Sequence, residues 1–211
     1  MTQASDSKPV VAAFDFDGTL TRRDTLFPFL LHVAGPLNFS LKLISLLPTL
    51  TLYALGLLRN DVAKVIVLQR FLAGMDMAPL QQLALSFAAN RLPSLLRKEA
   101  MQRLAWHRQQ GHRCVVVSAS LELYLQPWAS AAGFNDVLGS RLETPDGVRS
   151  SGKLLGENCF GAEKTRRLQA LLGTRENYTL YAYGDSRGDK ELLSAADYPY
   201  YQSFTTQGHY K

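Results

Sequence analysis

The passage from Val10 to Thr21 constrains this chain most: an uninterrupted apolar run ends there in two carboxylates one residue apart. Val10-Val11-Ala12-Ala13-Phe14 has no polar side chain, the pattern of a short strand buried on both faces of a parallel sheet. Asp15 and Asp17 then fall at the strand's carboxyl end, the edge where open α/β sheets bind ligands. Gly18 permits a tight turn before Thr19 and Leu20. Two acids this close repel each other, and a cation or a shared proton relieves the repulsion. An oxygen-only donor set suits magnesium. Asp and Gly also serve in ordinary turns, so partner motifs elsewhere must decide whether this corner is a site.

Two later runs repeat the theme. Cys114-Val115-Val116-Val117 ends in Ser118-Ala119-Ser120, and Thr179-Leu180-Tyr181-Ala182-Tyr183 ends in Gly184-Asp185-Ser186-Arg187-Gly188-Asp189. Between them the spacing predicts a helix over 121–132, bent or begun at Pro127 and stopped by Gly133, a strand over 137–142, and a turn at Thr144-Pro145-Asp146-Gly147 leading to a short hairpin. A helix over 163–172 carries Lys164 in its first turn; a helix over 190–195 and a strand over 198–201 close the chain. Strands alternating with helices predict an α/β fold with a doubly wound parallel sheet. Strand ends on one edge of such a sheet converge, which gathers Asp15, Asp17, Ser118 and Asp185, with Lys164 supplied by a helix start.

The stretch from Asp24 to about Arg91 departs from this alternation. It is rich in Leu and Ala at helical spacing and punctuated by Pro28, Pro36, Pro48 and Pro79, which predicts several helices inserted into the sheet. The division expected is a core of residues 9–23 and 93–211 with a helical cap of 24–92. Within the cap, Leu37 to Leu58 is the least polar segment, interrupted by Lys42 and Pro48, and its length approaches a bilayer span. Leucines spread around all sides of it, so it must be covered. Either a small bundle or dimer interface buries it, or it lies in or along a membrane, where Lys42, Arg59 and Lys64 suit anionic head groups.

A chain of 211 residues with 46% apolar content supports one sizeable core and a smaller lobe. Cys114 and Cys159 form neither a disulfide framework nor a metal spacing, and His32, His107, His112 and His209 are scattered, which excludes a zinc motif. A polar tail over Met1–Lys8, followed by an apolar run too short for a signal peptide, joins the cysteine usage in predicting a cytoplasmic protein. The net charge of +5 suits anionic partners, but without a dense Lys/Arg block it does not predict nucleic-acid binding. Oligomeric state is not legible.

The ordered set Asp-x-Asp-Gly-Thr-Leu, a strand ending in Ser, a helix-start Lys and Gly-Asp-x-x-x-Asp resembles the haloacid dehalogenase superfamily of phosphotransferases over nearly the whole chain. The insertion after the first motif resembles the C1-type cap of its phosphoserine phosphatase-like branch, subfamily IB. The resemblance implies a Rossmannoid core and a phosphatase acting through an aspartyl-phosphate. It casts Asp15 as nucleophile, Asp17 as general acid and base, and Ser118, Ala119 and Lys164 as phosphate-binding groups. It further implies a magnesium site from Asp15, the Asp17 backbone carbonyl and Asp185, supported by Asp189, Gly18 and Thr19.

Substrate is less constrained. Phosphoserine phosphatases carry Glu where this chain has Asp24, a cap-side substrate position, and Gly-Gly where it has Ala119-Ser120. The leucine-rich tract is similar to the cap of the bacterial phosphatidylglycerophosphatase C family, which implies a lipid phosphate at the inner membrane. The alternatives are a soluble phosphatase of a small phosphomonoester, or a lipid- or partner-binding protein that has lost turnover.

Overall fold

The structure, a computed structural model, describes residues 8–204. The tail over Met1–Lys8 and His209 therefore lie outside the described residues, apart from Lys8. The chain enters through strand β1 (Val10–Phe14) and a short helical turn (Phe16–Leu20) broken at Asp17 and Gly18. Four cap helices follow: α1 (Leu26–Ser45), α2 (Leu47–Ala54), α3 (Asn60–Leu72) and α4 (Met77–Asn90). The core then resumes with α5 (Lys98–Gln109), β2 (Arg113–Leu121), α6 (Glu122–Ala132), β3 (Asp136–Ser140), α7 (Ala162–Leu172), β4 (Thr179–Gly184), α8 (Lys190–Ser194) and β5 (Tyr198–Tyr201).

The five strands pair in the order β3-β2-β1-β4-β5, all parallel, with β1 at the centre. Side chains alternate across a strand, and β1 follows the rule. Ala12 and Phe14 join Cys114 and Val116 in the core on one face, while Val11 and Ala13 join Val115, Val117 and Leu180 on the other. Both faces are covered by helices, which is why the central strand β1 carries no polar side chain. This is a Rossmannoid sheet with a helical cap.

The cap joins the core through two linkers that run side by side. Thr21 pairs antiparallel with Leu96, the Arg22 N–H donates to the Leu95 carbonyl at 2.9 Å, and the Arg97 N–H donates to the Leu20 carbonyl at 2.8 Å. Phe29 from α1, Phe87 from α4 and Tyr124 from α6 pack edge-on or tilted where cap meets core, with ring centroids 4.8–5.4 Å apart. Burial of three aromatic rings anchors that contact.

The apolar tract is divided between helices, as its prolines predict. It is not one span: α1 ends at Ser45, the chain turns at Leu46, and Pro48 opens α2 at a position where its missing N–H costs nothing. Among the described residues the helix long and apolar enough to cross a membrane is α1, interrupted at Gly35, and it is only 11% buried over its apolar stretch. Nor does the lobe hide the tract, since Leu46 is buried but Leu37 is 81% exposed, Leu57 72% and Leu55 67%. The hairpin around Gly147 reduces to three backbone hydrogen bonds about the Leu142–Leu154 bridge, from the N–H groups of Glu143, Ser151 and Leu155 to the carbonyls of Lys153, Glu143 and Arg141.

Candidate active site

At the carboxyl edge of the sheet the predicted groups meet. Asp15 leaves the end of β1, its N–H donating to the Tyr183 carbonyl of β4 at 2.9 Å. Asp185 follows β4 directly. One carboxylate oxygen each from Asp15, Asp185 and Asp189 lies within 4.8 Å of the others. The Thr19 hydroxyl stands 3.2 Å from both Asp15 Oδ2 and Asp185 Oδ1. Gly18 makes this approach possible: at φ +84° it adopts a backbone few other residues tolerate, and a Cβ there would fall 2.1 Å from Asp185 Oδ2.

Lys164 reaches the cluster from the first turn of α7 and is buried. Its ammonium donates to Asp15 Oδ1 and to Asp189 Oδ1, each at 2.5 Å. Asp189 is in turn fixed by the turn after β4, where its other oxygen accepts from the Ser186 hydroxyl and from the N–H groups of Asp185 and Ser186. Thus Asp189, expected only as a supporting acid, orients Lys164 and shares the carboxylate cluster.

Three buried or half-buried carboxylates face one ammonium. Burial pushes Asp15 up to about 7 against the opposing pull of Lys164, and burial together with Asp189 also raises Asp185. The all-oxygen donor set and the surplus of negative charge fit a hard divalent cation such as magnesium.

The Asp17 carboxylate points elsewhere. Its Oδ1 accepts from the Thr25 N–H at 2.9 Å and the Thr25 hydroxyl at 2.7 Å, and its Oδ2 accepts from the Ser120 hydroxyl. Tyr124 completes the set, its hydroxyl 3.0 Å from that of Thr25. Burial, then the charge of Asp24, push Asp17 up to about 7. Asp24 itself accepts from the Leu26 N–H at 2.8 Å and opens α1.

Ser118 and Ala119 line the cleft with Asp15, Lys164 and Asp185. The Ser118 hydroxyl accepts from the Ser120 N–H at 3.1 Å, and β2 loses its regular register with β3 here, between Val117 and Leu121. The Ala119 carbonyl accepts from Lys64 of α3, which also donates to Asn158 Oδ1 at 2.8 Å. Burial pushes Lys64 down to about 8. Lys64, Thr25, Ser120, Tyr124 and Asn158 are absent from the sequence-based site; the one signal was the Ala119-Ser120 departure, which placed a hydroxyl where small residues were expected. Arg97, also unforeseen, donates from Nε to the Gly18 and Thr21 carbonyls at 3.2 and 3.0 Å and braces the turn that holds both acids.

A second cavity of about 340 Å³ adjoins the cleft between cap and core. Asp17, Asp24 and Lys64 line it together with the cap residues Phe27, Leu50, Tyr53 and Val67.

An acid cluster braced by lysine at the edge of a parallel sheet, under a helical cap, is the site plan of a hydrolase. A family model for haloacid dehalogenase-like hydrolases matches residues 12–194, and the chain belongs to that family. Its cap falls between the first and second strands, the arrangement of the phosphoserine phosphatase-like subfamily. Protein CicA of Caulobacter vibrioides is 37% identical over 97% of this chain and 90% of its own length. A Bordetella pertussis protein of unknown function superposes with TM-score 0.78 at 24% identity, covering 90% of this chain and 87% of that one. A phospho-aspartyl intermediate analogue of phosphoserine phosphatase shares the fold with TM-score 0.58 at 17% identity, over 90% of this chain and 84% of that one.

Proposed function

We propose that this chain is a magnesium-dependent phosphomonoester hydrolase that works through an aspartyl-phosphate on Asp15 and acts on a small phosphorylated molecule. The observation that carries the reading is the Lys164 ammonium held between Asp15 and Asp189, at the mouth of a cluster that also contains Asp185. The solved neighbour described as a phospho-aspartyl intermediate analogue supports the same chemistry.

The geometry supports the following roles. An Asp15 carboxylate oxygen attacks phosphorus, and the bond to the leaving oxygen breaks. Lys164 balances charge on the transferring group, while Ser118 and the backbone at Ala119 bound its other side. Asp17, raised toward neutrality by burial, donates its proton to the leaving alkoxide. It then takes a proton from water, whose oxygen attacks the phosphoryl group and releases phosphate from Asp15. Asp15, Asp185 and the Asp17 backbone carbonyl would hold magnesium, which would supply neutralisation of the phosphoryl charge. Residues 24–92 act as the cap domain, and the cavity beyond Asp17 receives the leaving group.

A second substrate reading is favoured by one observation. The leaving-group cavity has an apolar wall of cap residues Phe27, Leu50 and Tyr53, continuous with the exposed leucines of α2. A lipid phosphate presented from the cytoplasmic face of a membrane would use both surfaces.

The test is hydrolysis of p-nitrophenyl phosphate with and without magnesium, in the parent and in Asp15→Asn, followed by a screen that includes glycerol phosphates and lipid phosphates. Magnesium-dependent release of p-nitrophenol, lost in the variant, supports the hydrolase. Unaltered release in Asp15→Asn ends it. Recovery of the expressed protein wholly in the high-speed supernatant, with no turnover of lipid phosphates, removes the membrane reading and leaves the soluble one.

A further inference from the structure

A cavity of about 490 Å³ lies at the linkers that join cap to core and is used by none of the chemistry above. Its walls come from the two paired linkers and from the helices they serve. Arg23 belongs to the first linker, Ser94 to the second, Arg91 to the end of α4 and His32 to α1. No acidic residue lines it. Among the described residues, neither the Arg23 nor the Arg91 side chain has a hydrogen-bond or ion-pair partner, and the His32 Nε2 atom is buried with none. Two guanidinium groups without a protein partner, beside a cavity with no acidic lining residue, are free to bind an anion there.

We propose that this cavity is a second binding site, for an organic anion carrying a phosphoryl group. The two guanidinium groups offer more donors than the two oxygens of a carboxylate can use, and they match the three terminal oxygens of a phosphoryl group, while the Ser94 hydroxyl donates to the Arg91 carbonyl at 2.7 Å. Phe87 and Leu31 supply an apolar wall for the organic part, and the volume lies in the range of small-molecule sites. Because Arg23 lines both this cavity and the catalytic cleft, an occupant touches a residue that the substrate also faces. The phosphoryl group belongs either to a free metabolite or to a lipid head group, and the experiment separates the two.

Phenylphosphonate is the probe, since its carbon–phosphorus bond survives in a phosphomonoesterase, and the His32 ring resonances are the site-specific readout. In the full-length protein these signals shift saturably on titration. Arg91→Ala, an exposed position outside the catalytic cleft, needs at least about tenfold more probe for the same shift, and it hydrolyses p-nitrophenyl phosphate like the parent. Arg91→Lys falls between the two. In a parallel arm, flotation with phosphatidic acid vesicles that is lost in Arg91→Ala assigns the group to a lipid surface; probe binding without flotation assigns it to a soluble anion. Static His32 signals together with unchanged flotation in Arg91→Ala overturn the site, as does titration of Arg91→Ala at the parental concentration. None of these readouts requires turnover, so they stand apart from a failure of the hydrolase reading.

Discussion

Thr25 closes on Asp17 with two groups at once, its backbone N–H at 2.9 Å and its hydroxyl at 2.7 Å from the same Oδ1 atom. Thr25 is the residue from which the first cap helix departs, so the entry to the cap and the proposed general acid are one mechanical unit. Ser120 holds the other carboxylate oxygen from the core side. Loosening either contact changes where the proton is delivered.

Ser120→Ala and Thr25→Val therefore act selectively. General acid catalysis contributes about 10²- to 10⁴-fold where the leaving group is a poor one. Turnover of an alkyl phosphate should fall at least about tenfold in each variant, whereas p-nitrophenyl phosphate, whose leaving group needs little protonation, should change by less than about threefold. Equal losses on both esters would show that these hydroxyls serve the fold only.

Lys164→Met tests the cation between the acids. Removing one partner from a buried, hydrogen-bonded charge cluster costs about 3–5 kcal/mol, and the loss of transition-state charge stabilisation costs about 10²-fold or more in kcat. Urea denaturation and steady-state kinetics read the two effects separately. A variant of parental stability and activity would mean that Lys164 contacts neither Asp15 nor Asp189 in solution.

Chelation by EDTA should abolish turnover, and added magnesium should restore it. Gly18→Ala should fold but lose at least about tenfold in magnesium-dependent activity, since its Cβ would displace the Asp185 carboxylate, 2.1 Å away. Full activity in EDTA would remove the divalent ion from the account.

The sheet was legible because burial on both faces leaves an uninterrupted apolar run, as in Val10–Phe14 and Cys114–Val117, and no surface element writes that pattern. Asp15, Asp185 and Lys164 were legible because strand ends and helix starts set their positions before any tertiary contact is known. Thr25, Ser120, Tyr124 and Lys64 were not. Each is a common polar residue whose partner lies far away in sequence, as Ser120 does from Asp17, and only the packing of α1 and α3 onto β2 and α6 joins them. In the apolar tract the break at Pro48 was legible, whereas composition does not reveal which leucines are covered, and the chain that turns at Leu46 exposes them on two helices.

His107 gives a pH signature distant from the site. It is fully buried, with Nε2 2.8 Å from the Tyr183 hydroxyl and Nδ1 2.8 Å from His112 Nδ1. Burial, reinforced by His112 and Arg103, pushes it down to about 3. The folded state thus binds fewer protons than the unfolded state, whose His titrates near pH 6.5. This contribution is complete above pH about 6.5 and is lost toward acid at about 1.4 kcal/mol per pH unit. Between pH 6 and 4, His107→Gln should lose stability less steeply than the parent in urea titrations. Parallel slopes would contradict the burial of a neutral imidazole.

The most direct measurement concerns the bond that Asp15 is proposed to form. Borohydride added during turnover of a phosphomonoester reduces an acyl phosphate to an alcohol, turning an aspartyl-phosphate into homoserine at that residue alone. Peptide mass analysis should find homoserine at position 15, dependent on substrate and magnesium. Turnover that proceeds with residue 15 unmodified, or with the label on another side chain, would contradict the account.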